Sequence, residues 1–120
     1  MDTEIPFKQK HPLNERIEES KRVLKKHPDK VPVIVQIAET AKKDFLPIKK
    51  TKYLVPVEMT IGQFVYVLRK QINISADKAV FVFVNGLLPP TAEMMGVLYN
   101  MHKDIDGFIY CIIQGESVFG

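Results

Sequence analysis

Few groups in this 120-residue chain could do covalent or metal chemistry. A single cysteine, Cys111, lies in FIYCII, an apolar run that reads as strand core, where burial keeps a thiol protonated and inert. His11, His27 and His102 are scattered, and with Cys111 they form neither a metal-ligand spacing nor a Cys-His dyad. No Gly-rich phosphate loop is present. The expectation is therefore no catalytic site, no metal and no cofactor. What remains is the end of ESVFG. The free carboxylate of Gly120 could itself be a reactive group. Taken alone it is weak evidence, since glycine is common.

Recognition is the other chemistry on offer. Tyr53-Leu54 follows Lys49, Lys50 and Lys52. Adjacent strand residues point to opposite faces, so at least one of these two large apolar side chains should reach the surface or a cleft. The formal charge of +3 is unevenly spread: residues 1–52 hold 13 Lys/Arg against 8 Asp/Glu, and residues 53–120 hold 4 against 6. A basic front half points to acidic peptides, tubulin-like surfaces, anionic lipid or RNA, or simply to a solvated helix face. Aromatic residues are not interleaved with the basic ones as in an RNA-binding signature, so no nucleic-acid partner is expected.

The elements that must position these groups follow from pattern. FKQKHPLNERIEESKRVLKK reads as charged helix, with Ile17, Val23 and Leu24 as a sparse apolar stripe, Asn14 as N-cap, and Pro12 separating a shorter helix over 3–9. So thin a stripe should lie against the outside of something else. VPVIVQIAE (31–39) and KYLVPVE (52–58) read as strands joined by a long polar connection. In 60–72, Ile61, Phe64, Val65, Leu68 and Ile72 form one helical face, with Thr60 as N-cap. AVFVFV (79–84) is unbroken apolar, as expected of a central strand covered on both faces. Asn85-Gly86 marks a turn, 91–101 a short helix and 107–113 a last strand. Two leading helices and then β-β-α-β-α-β predict an α+β fold, a ubiquitin-like β-grasp with a four-stranded mixed sheet and a crossing helix. The expected division is 1–28 as a helical extension packed on the domain, 29–115 as the β-grasp and 116–120 as a flexible tail. One cysteine excludes an internal disulfide and suggests a reducing compartment. The acidic start is not that of a signal peptide, and no apolar run approaches the ~20 residues that span a bilayer, so work on a membrane would need an attached anchor.

Four phrases carry more than a fold. FKQKHPLNER with KKHPDKVPVIV, KKTKYLVPVEMTIGQFVYVLRKQI, FVFVNGLLPPTAEMMGVLY, and ESVFG resemble, in order over residues 7–120, the autophagy-related ubiquitin-like modifiers of the GABARAP and light-chain-three type. The resemblance implies a non-enzymatic modifier, monomeric before conjugation. Its C-terminal glycine, here Gly120, is adenylated by an E1-like activating enzyme, passed as a thioester to an E2-like conjugating enzyme, and joined by an amide to phosphatidylethanolamine. A deconjugating cysteine protease completes the partner set. Two acyl chains give stable anchoring, so the implied location is cytoplasm and, once lipidated, autophagosome or related vesicle membranes.

The same resemblance implies a groove for cargo-receptor peptides of aromatic-x-x-aliphatic type, added to a sheet edge. Glu19, Val23, Pro32, Ile34, Leu54 and Phe108 would surround the aromatic pocket, and Tyr53, Val55, Pro56, Met59, Phe64 and Val67 the aliphatic one. Lys49, Lys50 and Lys52 would attract acidic residues ahead of the motif. Arg69 and Phe119 are implied in contact with processing or activating enzymes near the tail. Without the resemblance, Phe64, Ile34, Val55 and Pro56 read equally well as core, and Arg69 as a solvated arginine. Val23 and Val67 stand where a larger aliphatic is usual. Lys30 replaces the arginine of a PDRVP phrase, a change that matters if that position makes a bidentate contact. Two other readings stay open: a sulfur carrier, against which Val118-Phe119-Gly120 argues because a Gly-Gly end is usual, and a noncovalent basic adaptor on microtubules or membrane surfaces.

Overall fold

The computed structural model describes residues 5–116. Two short helices lead: α1 Pro6–Lys10 and α2 Leu13–Lys26. Then come β1 Lys30–Ile37, a 3-10 segment Glu39–Asp44, β2 Lys52–Pro56, α3 Ile61–Gln71, β3 Phe81–Val84, α4 Met95–His102 and β4 Ile109–Gln114. The four strands form one mixed sheet in the order β2-β1-β4-β3, with β1 antiparallel to β2, parallel to β4, and β4 antiparallel to β3.

The central strands are thus β1 and β4. The expectation of a central 79–84 strand is corrected: β3 is an edge, shorter than the apolar run, and its burial alternates, with Val82 and Val84 inside and Phe81 and Phe83 half-buried. An unbroken apolar run is compatible with either place, because pairing depends on partners far off in sequence. The strand that is covered on both faces is VPVIVQI. Its odd residues Val31, Val33 and Val35 join the main core, while Ile34 joins a second cluster on the opposite face.

Helix α3 lays Ile61, Phe64 and Leu68 on the main core, where Met95, Leu98 and Tyr99 of α4 also pack. Its start is held by a full capping box, Gln63 N–H donating to Thr60 Oγ1 at 3.1 Å and Thr60 N–H to Gln63 Oε1 at 2.9 Å. Asn85 and Gly86 both adopt positive φ, 50° and 74°, and the flanking Val84 and Leu87 exchange backbone hydrogen bonds, as a two-residue hairpin turn requires.

The leading helices cover the other face by different means. Phe7 of α1 is buried with Ile34, Phe108 and Tyr110. In α2 the buried residues are polar, Arg16 and Ser20, and the N-cap is Pro12 with no side-chain cap, so Asn14 does not have the expected role. Arg16 donates to Asp106 Oδ2 at 2.7 Å and to the His11 carbonyl at 3.0 Å, and Ser20 donates to the Asp106 carbonyl at 2.6 Å. Tyr110 hydroxyl also donates to Asp106 Oδ2, and Phe108 N–H to Oδ1 at 2.8 Å. Asp106 is saturated, which is what makes a buried carboxylate tolerable. Gly107, at φ +89°, lets this loop pass under α2: a Cβ there would sit 2.3 Å from Ser20 Oγ.

Candidate functional site

The β1–β2 ladder decides what β2 offers. Val35 N–H donates to the Thr51 carbonyl and Val57 N–H to the Asp29 carbonyl, in the same register as Val31↔Val55 and Val33↔Tyr53. Hydrogen-bonded pairs alternate in an antiparallel ladder, so the odd residues of β2 face β1 with their backbone groups. Pro32, Leu54, Lys52 and Pro56 occupy the other pairs, where the two prolines cost the ladder no donor. The outward backbone groups are then those of Lys52 and Leu54 and the carbonyl of Pro56. Among the described residues, no strand pairs with β2 on that side. It is an edge able to accept one more strand.

Side chains divide across this edge. Leu54 is 40% exposed, between the exposed Lys52 and Pro56, on the face that α2 covers. Beneath that face lie the buried Pro32, Ile34 and Phe108, and above it the half-buried Glu19 and Val23. Glu19 Oε2 accepts from Lys52 Nζ at 2.8 Å. Tyr53 and Val55 point the other way into the core, Tyr53 meeting Phe64 edge-to-face at 5.6 Å. Burial pushes the Tyr53 hydroxyl's pKa up. Strand alternation therefore puts Pro56 on the Leu54 face rather than with Tyr53 and Val55. Met59 and Val67 are half-buried and line a shallow hollow with Tyr66, Thr91 and Ala92. Lys49 and Lys50 are exposed, and Lys50 Nζ stands 4.7 Å from the Tyr53 ring centre.

Arg69 is engaged elsewhere. Its guanidinium donates to the carbonyls of Lys78 at 2.8 Å and Ser75 at 3.4 Å, bracing the 73–78 loop. Phe119 and Gly120 lie outside the described residues. Cys111 is fully buried on β4, and burial pushes its thiol up to about 12. No group of three or more His, Cys, Asp or Glu among the described residues could hold a metal ion, and no described helix is long and apolar enough to cross a membrane.

Two arrangements escaped sequence reasoning. One is the Arg16–Asp106–Tyr110 network; its only signal was a pair of polar residues, Arg16 and Ser20, spaced i,i+4 on a helix with few apolar ones. The other is a cleft of about 500 Å³ beside the start of β2, between α1 and the loop after the 3-10 segment.

Residues 15–120 match the family model described as Autophagy protein Atg8 ubiquitin like. The chain belongs to the Atg8 family. It is 54% identical over 114 residues to Autophagy-related protein 8c of Arabidopsis thaliana, covering 95% of this chain and 94% of that one. Autophagy-related protein 8 of Coccidioides immitis (strain RS) is 49% identical over the same length, covering 95% and 96%. Among solved structures, Trypanosoma brucei ATG8 superposes with a TM-score of 0.88 at 34% identity, covering 94% of this chain and 96% of its own. Plasmodium falciparum Atg8, solved in complex with a Plasmodium falciparum Atg3 peptide, gives 0.81 at 30% identity, covering 91% and 97%. This Atg8-family chain is thus a ubiquitin-like autophagy protein, and the two helices ahead of its mixed sheet belong to the ubiquitin-like fold shared with those neighbours.

Proposed function

We propose that this chain is a non-enzymatic modifier joined through Gly120 to phosphatidylethanolamine, and that the open edge of β2 takes aromatic-x-x-aliphatic peptides of cargo receptors. The observation that carries the peptide reading is the outer edge of β2, unpaired among the described strands, with Leu54 exposed between Lys52 and Pro56. A peptide strand along Lys52–Pro56 would place one side chain over Leu54 under α2 and another toward Met59 and Val67. Lys49 and Lys50 would meet acids ahead of the motif, and Lys52 could exchange Glu19 for such an acid. An activating enzyme of E1-like type, an E2-like conjugating enzyme and a deconjugating protease handle the tail. The Plasmodium neighbour, solved with an Atg3 peptide, supports a conjugating-enzyme partner. The protein then divides its time between cytoplasm and autophagosomal membrane.

Reconstitution with the two enzymes and phosphatidylethanolamine liposomes tests the conjugation. Gly120→Ala is expected to abolish the lipid-linked form and liposome flotation while peptide binding persists. Flotation of the Gly120→Ala protein at the wild-type level would instead favour a noncovalent basic adaptor, the reading that the lysines of the first 52 residues support. For the groove, Leu54→Asp should weaken a motif peptide at least about tenfold in calorimetry, since burying a leucine is worth roughly 1.5–3 kcal/mol. An unchanged affinity with the fold intact would remove the groove from β2.

A further inference from the structure

Helix α2 has two flanks. At about 100° per residue, its buried Arg16 and Ser20 face the sheet, Glu19 and Val23 turn toward Leu54, and Ile17, Lys21 and Leu24 turn the opposite way. That second flank is one wall of a groove of about 450 Å³, and the other wall is Tyr99, Lys103 and the 104–107 loop. The floor is apolar. Ile17 and Leu24 are half-buried, Tyr99 is buried, and Ile105 stands 83% exposed at the rim. The acids beside it are already met, Asp104 by Lys8 and Asp106 by Arg16. Lys21 and Lys103 are exposed and have no ion pair among the described residues; Lys103 Nζ lies instead 5.4 Å from the Tyr99 ring centre. An occupant of this groove therefore meets hydrocarbon between unpaired cations.

The backbone around the groove is spoken for. Asp104 N–H donates to the Phe108 carbonyl at 2.7 Å, Gly107 N–H to the Asp104 carbonyl at 2.9 Å and Asp106 N–H to Asp104 Oδ2 at 3.1 Å. The carbonyls of Asp106 and Gly107 accept from the Ser20 and Tyr99 hydroxyls at 2.6 and 2.7 Å. An extended peptide laid here would leave its own amides unmet, unlike one on the edge of β2. A helix carries its backbone bonds within itself and presents side chains alone. A flat membrane surface would touch Ile105 but not the half-buried Ile17 and Leu24 between the walls. We propose that this groove docks an amphipathic helix of a partner protein, its apolar stripe on Ile17, Leu24, Tyr99 and Ile105 and its flanking acidic residues on Lys21 and Lys103. The Ser20–Asp106 bond and the bare Gly107 hold the two walls together, so the groove is formed before the partner arrives. It shares no residue with the peptide groove on the Leu54 face.

The probe is a synthetic helical peptide of about 15 residues, long enough to be helical alone, with leucine at i, i+4 and i+7 and glutamate on either side of that stripe. One control replaces the glutamates by lysine and a second places proline in the middle of the helix. ¹H–¹⁵N NMR on the full chain should show saturable shifts of the Ile17, Lys21, Leu24, Lys103 and Ile105 amides, with Leu54 unmoved. Ile105→Asp should weaken the peptide at least about tenfold through lost apolar burial. Lys21→Glu with Lys103→Glu should cost about tenfold, a factor that shrinks as salt is raised. All three substitutions are at exposed positions, so thermal unfolding should match that of the parent. The assignment is overturned by no saturable shift at millimolar peptide, by equal binding of either control, or by full affinity in either variant. Shifts centred on Leu54, or competition from an aromatic-x-x-aliphatic peptide, would also overturn it by returning the helix to the β2 edge. Flotation with anionic liposomes that is lost in Ile105→Asp, with no peptide shift at Ile17 and Leu24, would assign the surface to a membrane instead.

Discussion

Asp106 holds α2 to the sheet through one carboxylate and one carbonyl. Burial and the neighbouring Asp106 together push the Tyr110 hydroxyl far above its ordinary value, so it stays a donor. Burial alone would lower the Arg16 guanidinium, but its bonds to Asp106 and Tyr110 outweigh that and hold it charged. Removing one partner leaves the other charge buried and uncompensated, a loss that runs to about 3–5 kcal/mol. Arg16→Met is accordingly expected to cost about 3 kcal/mol in urea unfolding. A loss under about 0.5 kcal/mol would show that water replaces the guanidinium without penalty. The residue scale is also where the sequence was most and least readable. Tyr53-Leu54 could be split between core and surface by alternation alone, and Thr60 by its place before an apolar helix. The five hydrogen bonds at Asp106 could not be anticipated, since Arg16 and Asp106 lie 90 positions apart.

At the level of elements, α2 sits close to the 104–107 loop only because Gly107 has no side chain. Gly107→Ala meets two costs, a left-handed backbone and a Cβ 2.3 Å from Ser20 Oγ, whereas Gly86→Ala, at φ +74° with nothing within 4 Å, meets only the first. Strain of this kind is worth about 1–3 kcal/mol. Thermal unfolding should therefore show Gly107→Ala clearly less stable than Gly86→Ala; equal losses would mean that α2 shifts without cost. Element existence and order were legible because the apolar runs and the 61–72 stripe are strong. Edge and centre were not, as AVFVFV shows: Phe81 and Phe83 are apolar yet half-buried, and only the partner of β4 reveals where β3 lies. The cleft was hidden for the same reason, being assembled from α1, the end of β1 and the loop before β2.

Across the whole molecule, α1 is tied to the opposite end of the chain by Lys8 Nζ, 2.6 Å from Asp104 Oδ1. Burial works to raise the Asp104 carboxyl, but the Lys8 ammonium and the Asp106 N–H prevail and hold it below the usual carboxylate range. A depressed folded value contributes stability that is fully present above the unfolded value of about 3.9 and is lost as pH falls through the lower, folded one. Unfolding free energies between about pH 2 and pH 6 should fall on the acid side more gently in Lys8→Ala than in the parent. Parallel curves would show that the pair contributes nothing to acid sensitivity.

Strand β4 lies between β1 and β3, and the described chain leaves the sheet directly after it. Any pull applied beyond Glu116 therefore enters at the middle of the sheet rather than at a rim. Because β4 runs parallel to β1, a force drawing its far end away from the start of β1 loads the pairs Val33↔Ile109 through Ile37↔Ile113 in shear. Those bonds must give together instead of opening one by one. A molecule tethered through its tail would therefore resist traction until the β1–β4 pairs failed as one.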